Sequence, residues 1–451
     1  MKQLLEDLFP IYRTLCGPGA LQTLQRIQRE LPGLAIHEYR SGTDVCGWTI
    51  PKEFVVKNAF VKDLEDDGVL HFEQHPYRLW IYSQPFSGVI SANELREHLT
   101  IGTHGVPLRQ TYYKPDWGFC AEPGFELTER EYRVHIDVEH RDGFLRIGEY
   151  YLPGETSQEI LVNSYTCHPL GANDNCSGMV ACVELFKRLA ALPKRRYSYR
   201  LCLWPETIGP ITWIAKKIEE TRIVGRYGPM TPQGIHGVLC ALTIAICGDK
   251  SGLKYDASLD GDSVLDDALW HVFESLPVER QKDAYVEMMN DGRTGLPFQR
   301  SYSGFVGPTD SRHFNGMCVN IPAVTLTRGG PCNYPEYHSS ADTPEIIDWD
   351  NMEETVDVAF KALQVIERNR VFKPNYITTP CLQKHGIFPY QHGTGNGEST
   401  RTDQARAYFE LMYLVDGQRV LLSIADSQGM SIFDFDEPVE KFLAAGLISE
   451  V

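Results

Sequence analysis

Apolar positions change their spacing along the chain, and each change marks a different kind of structure. Between residues 2 and 30, Leu4, Leu5, Leu8, Ile11 and Leu15, then Leu21, Leu24 and Ile27, recur at helical intervals. The CGPG stretch at Cys16–Gly19 interrupts them, so two helices joined by a turn are predicted. From about Gly42 to Cys120 the texture shifts to short runs of β character, Phe54–Val61, Val69–Phe72 and Leu79–Tyr82, set among Pro, Tyr and Trp. That predicts a separate small β-rich unit.

From Glu131 to about Arg370, short apolar runs alternate with amphipathic ones, the pattern of a mixed or parallel sheet covered by helices. The clearest pair is a strand Ile160–Tyr165 followed by a helix Ser177–Leu192, with Met179, Val183, Phe186 and Ala190 on one face. Further strands are expected at Tyr199–Trp204, Val238–Ile246 and Ala323–Thr327. Beyond Arg370 a loop rich in Pro, Gly and Thr precedes helical runs at Ala405–Leu414, Val420–Ala425 and Val439–Leu447, with an apolar strand closing the chain. Three short helices and a final strand predict a winged-helix shape.

The division this implies is an α/β core from residues 1–41 and 131–370, an inserted β-rich domain at 42–130, and a winged-helix-like domain at 371–451. A length of 451 residues agrees with about two or three domains. With 42% hydrophobic and 11% aromatic residues, a large interior can be buried.

Charge narrows the partners. A net charge of -17 is a poor match to a phosphate backbone or an anionic membrane face, so neither nucleic acid nor membrane is an expected partner. The winged-helix region itself carries six Lys or Arg against ten Asp or Glu from Phe372 to Val451, which favours a protein contact, a homo-oligomer interface or a lid role there. The start, MKQLLEDLFPIYRTL, has acidic residues among its apolar ones, so no export signal is expected. The longest apolar run, Gly237–Cys247, falls well short of the roughly 20 residues a membrane span needs. Twelve scattered cysteines without a CxxC pair read as buried, reduced thiols of a cytoplasmic protein.

Four candidate ligands sit just after predicted strands: His168 in SYTCHPLGANDNCSG, Glu206 in LWPETIGP, Asp249 in AICGDK and His338 in YPEYHSSADTPEIID. Loops at the carboxyl edge of an open α/β sheet converge, which is why ligands bind there. Any one of these residues alone reads as a turn or cap former; together, on one edge, they point to a metal site. Asp174 lies just before SG and an amphipathic helix, so capping is its simplest structural reading. Its short distance along the chain from His168 also pairs an imidazole with a carboxylate, a combination zinc favours.

These motifs carry a resemblance. ANDNCSG, the PET-G segment, CGD, TDSRHF and YHSSADTPEIID occur in the order found in the co-catalytic zinc aminopeptidases of clan MH, over roughly residues 150–350. The whole chain is similar to a branch labelled aminopeptidase-like or polysaccharide-biosynthesis-associated, with an inserted β-rich domain and a C-terminal winged helix. The resemblance implies an aminopeptidase-like, phosphorylase/hydrolase-type core with zinc as cofactor. It makes Asp174 the carboxylate that bridges metals, His168 and Asp249 ligands on one side, and His338 a ligand on the other. Glu206 becomes the general base that takes a proton from metal-bound water and relays it to the leaving amine.

Two departures from the family pattern matter. Thr207 stands where a second glutamate is usual, so the second metal position lacks a carboxylate; His168-Pro169-Leu170 replaces the usual His-x-Asp, so something else must hold that ring. Of the one or two zinc ions the family implies, one tightly held ion is therefore expected, with Glu206 as base or as recruited ligand. Asp310 and His313 in TDSRHF border the site in similar proteins; His313 either completes the coordination or serves a structural or substrate-side role. Tyr337 could donate to a developing oxyanion or simply pack. Arg328 could meet a substrate carboxylate or pair with an acidic side chain, and Asp342 is expected to cap the turn after His338.

The leading expectation is a zinc aminopeptidase acting on a small peptide or another amide-containing metabolite. Alternatives are an amidohydrolase of aminoacylated or N-acylated sugar precursors, and a degenerate core that binds a partner without catalysis.

Overall fold

In the computed structural model, which describes residues 1–64, 69–223, 237–276, 309–316, 319–328, 334–387 and 403–451, seven strands form one mixed sheet. In chain order they are β1 (Ala35–Arg40), β2 (Phe144–Leu152), β3 (Glu159–Tyr165), β4 (Ser198–Trp204), β5 (Val238–Ile244), β6 (Lys254–Asp256) and β7 (Ala323–Thr327). Across the sheet the order is β1-β2-β4-β3-β5-β7-β6. The middle four, β4, β3, β5 and β7, run parallel, and Val162 of β3 lies opposite both Leu201 and Leu242. The outer strands pair antiparallel.

Every residue of β3 is buried, as expected of a strand with neighbours on both edges, and its polar Asn163 and Ser164 bond to groups of β5. The outer β1, AIHEYR, is mostly exposed, which is why its apolar signal is weak. One helix, α1 (Gly178–Ala191), follows β3 and buries Met179, Val183 and Phe186 as expected. Leu189 rather than Ala190 completes its inner face, and Ala190 points to solvent.

The β-rich stretch builds a second sheet in the order Leu70–His71, Glu53–Asp63, Glu131–Arg141, Phe86–Ser91. Leu79–Tyr82 contributes only isolated bridges at Leu79 and Ile81, after a 3-10 turn Pro76–Arg78. Arg146 of β2 reaches Glu53 of this second sheet at 3.1 Å, both side chains being buried. Removing one partner of such a pair would strand the other charge away from water.

By contact the chain separates into Met1–Ser263 with Val278–Asp357, and Val264–Pro277 with Val358–Val451. Within the second, smaller unit lie helices Val264–Glu274, Asp403–Leu414, Leu421–Ser427 and Asp436–Ala444, and Phe372–Pro374 pairs antiparallel with Ile448–Glu450. His271 and Asp426 meet there at 2.6 Å. No helix among the described residues is long and apolar enough to cross a membrane.

Gly178, the first residue of α1, has no room for a side chain. A Cβ there would lie 2.4 Å from Asn175 Oδ1, 2.6 Å from the Ile244 carbonyl and 2.7 Å from Ser164 Oγ. Gly178→Ala should therefore lower unfolding stability by about 1–3 kcal/mol in urea denaturation. Gly316→Ala, where the nearest atom is 3.9 Å from the added Cβ, should change it little.

Candidate metal centre

The carboxyl ends of β3, β4, β5 and β7 share one edge of the sheet, and the loops gathered there carry unusual backbone. His168, Leu170, Thr207, Ile246 and His338 all adopt left-handed conformations, with φ of 66°, 57°, 66°, 47° and 51°. Non-glycine residues enter this region at a cost of order 1–3 kcal/mol each, and such residues concentrate at functional sites.

At this edge His168, Asp174 and His338 converge. Each offers one ligand atom, and these atoms lie within 4.8 Å of one another. His168 Nδ1 is 3.8 Å from Asp174 Oδ1, and His338 Nε2 is 3.1 Å from Asp174 Oδ2. Donors on one tetrahedral zinc sit roughly 3–4 Å apart, so the spacing suits a shared cation. Asp174 Oδ2 and His338 Nε2 are both buried and face each other at 3.1 Å, with no hydrogen bond to any other group. A carboxylate and two imidazoles gathered away from water call for an ion or water among them, and this donor set fits a zinc ion.

Asp174 does not cap α1, which begins four residues later. Its Oδ1 accepts from the Tyr165 hydroxyl at 2.6 Å. Burial acts to raise its pKa, but the His168 and His338 rings more than offset that and hold it down at about 2. The Ala172–Ser177 segment that carries it is stapled in place by its two asparagines. Asn175 Nδ2 donates to Ser164 Oγ and the Tyr165 carbonyl, while Asn175 Oδ1 accepts from Ile246 N. Asn173 Oδ1 accepts from Gly248 N at 2.7 Å. Asp342 caps this segment rather than the turn after His338: its two oxygens accept from the Asn173 and Asp174 backbone at 2.7 and 2.9 Å.

His168 is held by packing. Tyr165 meets its ring edge-on with centroids 5.4 Å apart, and His338 stacks on it at 4.8 Å. Arg13 donates to the His168 carbonyl at 3.1 Å. Burial pushes the His168 ring pKa down to about 4, which keeps it neutral and able to ligate. Tyr337 lies against the His338 ring, 3.8 Å between centroids, so packing is the role it shows.

A second donor set, Cys167, His168 and Glu206, adjoins the first, with ligand atoms also within 4.8 Å of one another. Burial raises the Glu206 pKa well above the ordinary carboxylate value, and the charges of Asp310 and Asp174 add to the effect. Asp310 is itself buried and lifted to about 6 by that burial. It fixes the turn at Glu206, accepting from Thr207 N at 2.8 Å and Trp204 Nε1 at 2.9 Å.

Three expected residues stand outside both donor sets. Asp249 is drawn aside by its neighbours, accepting from Asn173 Nδ2 at 2.7 Å and from Ser251 N at 2.6 Å. His313 lies beside Arg312, whose Nε is 3.3 Å from its Nε2. Arg328 is buried and pairs with Glu354, with further bonds to the Ser251 carbonyl and Thr355 Oγ1 at 3.1 Å. That leaves it committed to the interior.

The inserted β-rich stretch braces both histidine loops. Leu108 N donates to the His338 carbonyl at 2.7 Å, Val106 and Ser340 exchange two bonds of 2.9 Å, and the Tyr77 hydroxyl donates to the Pro169 carbonyl. No periodicity in residues 42–130 signals this role.

Comparison with known proteins bears on this geometry. A family model described as a domain of unknown function, DUF4910, matches residues 2–296 and 299–369. A Clostridium acetobutylicum protein, whose name assigns it to polysaccharide biosynthesis with an aminopeptidase-like domain, is 32% identical over 435 residues, 95% of this chain and 91% of its own. A crystal structure from the same organism, described as a peptidase, superposes with a TM-score of 0.78 at 28% identity, covering 100% of this chain and 96% of that one. A zinc aminopeptidase from Bacillus subtilis superposes at 0.51 with 12% identity, over 80% of this chain and 93% of its own. The fold is therefore aminopeptidase-like, a central mixed sheet with helices.

Two substitutions separate support of the centre from support of the fold. Tyr165→Phe, which removes the bond to Asp174, should weaken zinc binding roughly 10- to 100-fold in competition with a chelating dye. Arg328→Ala should leave zinc affinity unchanged while lowering unfolding stability by at least ~2 kcal/mol.

Proposed function

The chain belongs to the DUF4910 family, and from that membership and the centre described above we propose that it is a zinc-dependent hydrolase of an amide bond, most simply the N-terminal bond of a small peptide. The observation that carries this reading is the meeting of His168, Asp174 and His338, whose ligand atoms lie within 4.8 Å of one another in the interior. Burying such a group is costly, and a bound cation would offset that cost.

His168, Asp174 and His338 would hold the ion. Zinc, when bound, supplies the Lewis acidity that makes water a usable nucleophile near neutral pH. Glu206 sits beside this set, and its carboxylate oxygen takes the proton from the attacking water as the C–O bond forms. The same oxygen then delivers that proton to the nitrogen as the C–N bond breaks, so the amine leaves neutral. Asp310, through Thr207 N and Trp204, holds the turn that aims Glu206. One ion per chain suits these residues, because Thr207 supplies no second carboxylate.

A second reading keeps this chemistry and changes the substrate to an aminoacylated or N-acylated sugar precursor. It is favoured by the name of the Clostridium acetobutylicum relative.

Turnover of a panel of aminoacyl amides beside N-acetylated sugars distinguishes the two, and hydrolysis of the sugars alone would reject the peptidase version. On whichever substrate is cleaved, Glu206→Gln should lower kcat by ~10²- to 10⁴-fold while keeping bound zinc. Parental activity in that variant would remove Glu206 from the mechanism. Metal analysis of protein purified without added zinc should give about one equivalent per chain, and two full equivalents would contradict a single-ion centre.

A further inference from the structure

Cys167 precedes His168 directly. Neighbouring residues on an extended chain point to opposite sides, so these two side chains would ordinarily diverge. The left-handed backbone at His168, φ 66°, swings its ring back toward the sulfur, and Cys167 Sγ lies 3.6 Å from His168 Nδ1. A thiolate at about 2.3 Å and an imidazole nitrogen at about 2.0–2.1 Å on one tetrahedral zinc are separated by roughly that distance.

The surroundings of the sulfur suit a ligand. Cys167 is 3% exposed. Burial and the Glu206 carboxylate hold the sulfur as a thiol until a cation arrives, while the Glu206 backbone N–H donates to Sγ at 3.3 Å. The Glu206 carboxylate closes a three-donor group with Cys167 and His168. His168 presents the same nitrogen to this group and to Asp174, 3.6 Å from Sγ and 3.8 Å from Oδ1. One ring nitrogen has one lone pair and serves one cation; the sulfur does not join Asp174 and His338 in a single group within 4.8 Å, so sharing that cation requires the ligand atoms to draw together on binding.

We propose that Cys167 is a thiolate ligand of the cation that His168 binds. The proposal rests on the metal centre put forward above and adds sulfur to its ligands. On binding, the S–H bond breaks, its proton passes to solvent and the sulfur lone pair forms the bond to the metal. A soft thiolate tilts the site toward zinc and cobalt and away from magnesium and calcium. Zinc accommodates a fifth ligand, so sulfur beside His168, Asp174 and His338 still leaves room for a reacting group.

X-ray absorption on the full-length protein loaded with zinc tests this without any substitution: a sulfur neighbour at about 2.3 Å is expected. Cobalt(II) loading then assigns the sulfur. The parent should show a sulfur-to-cobalt charge-transfer band in the near ultraviolet; Cys167→Ser should lose it and bind cobalt more weakly by more than the roughly 10- to 100-fold that loss of an outer-shell partner costs. Cys182→Ala, which alters a thiol within α1, should keep the band. Zinc bound by nitrogen and oxygen alone, or a band that survives in Cys167→Ser, overturns the sulfur ligand and leaves the metal centre standing. Failure of the parent to bind either metal overturns both.

Discussion

A carboxylate buried between two imidazoles is the constraint around which the larger unit is arranged. Asp174 is 2% exposed, and ionised groups taken that far from water are costly unless something restores their charge balance. Besides the His338 ring at 3.1 Å, its side chain accepts from the neutral Tyr165 hydroxyl; the nearby guanidinium of Arg13 is turned to the His168 carbonyl and Cys176. Glu206 and Asp310 add acidic groups to the same interior, and each has its pKa raised by burial. A divalent cation is the economical solution to that accumulation of buried acid, and the imidazoles lie where it would need nitrogen donors.

The parallel strands account for half of this convergence. β3 and β4 deliver the His168 and Glu206 turns side by side because they pair along their whole length, ending at Tyr165 opposite Trp204. The His338 loop has no strand leading directly into it and is placed instead by long-range bonds. Val106 and Leu108 of the β-rich stretch hold it from outside, and Asp342 ties it back to the Asn173 and Asp174 backbone. Tyr77, from the same stretch, secures the turn after His168. An insertion that grips both histidine loops sets the spacing between them, which is a more demanding task than covering a surface.

What can be read along the chain follows from how local each signal is. β3, β4, β5 and β7 are apolar runs, and His168, Asp174 and Glu206 follow two of them closely, so their meeting was legible from order alone. The set aside position of Asp249 was not, because it depends on Asn173 turning its amide toward that carboxylate from another loop. Asp342 and Arg328 bond to partners that no spacing rule connects to them. Cys167 was hidden for a different reason: on an extended chain it would face away from His168, and only the backbone reversal at that histidine brings the two together. Ala190 shows the smaller version of the same limit, since in a helix as apolar as α1 the boundary of the buried face is set by what packs against it.

Thr207 also bears on the single-ion centre proposed above. It follows Glu206 directly, in a left-handed conformation, with its N–H given to Asp310. Its hydroxyl oxygen accepts from the Arg312 guanidinium at 3.0 Å. The position that would supply an anionic ligand to a second ion thus presents a neutral hydroxyl bonded to a fixed positive charge. A cation placed there would lose a ligand and meet electrostatic repulsion, while Glu206 next to it gains, because the same guanidinium favours its ionised form. The substitution that weakens one metal position therefore supports the carboxylate beside the other.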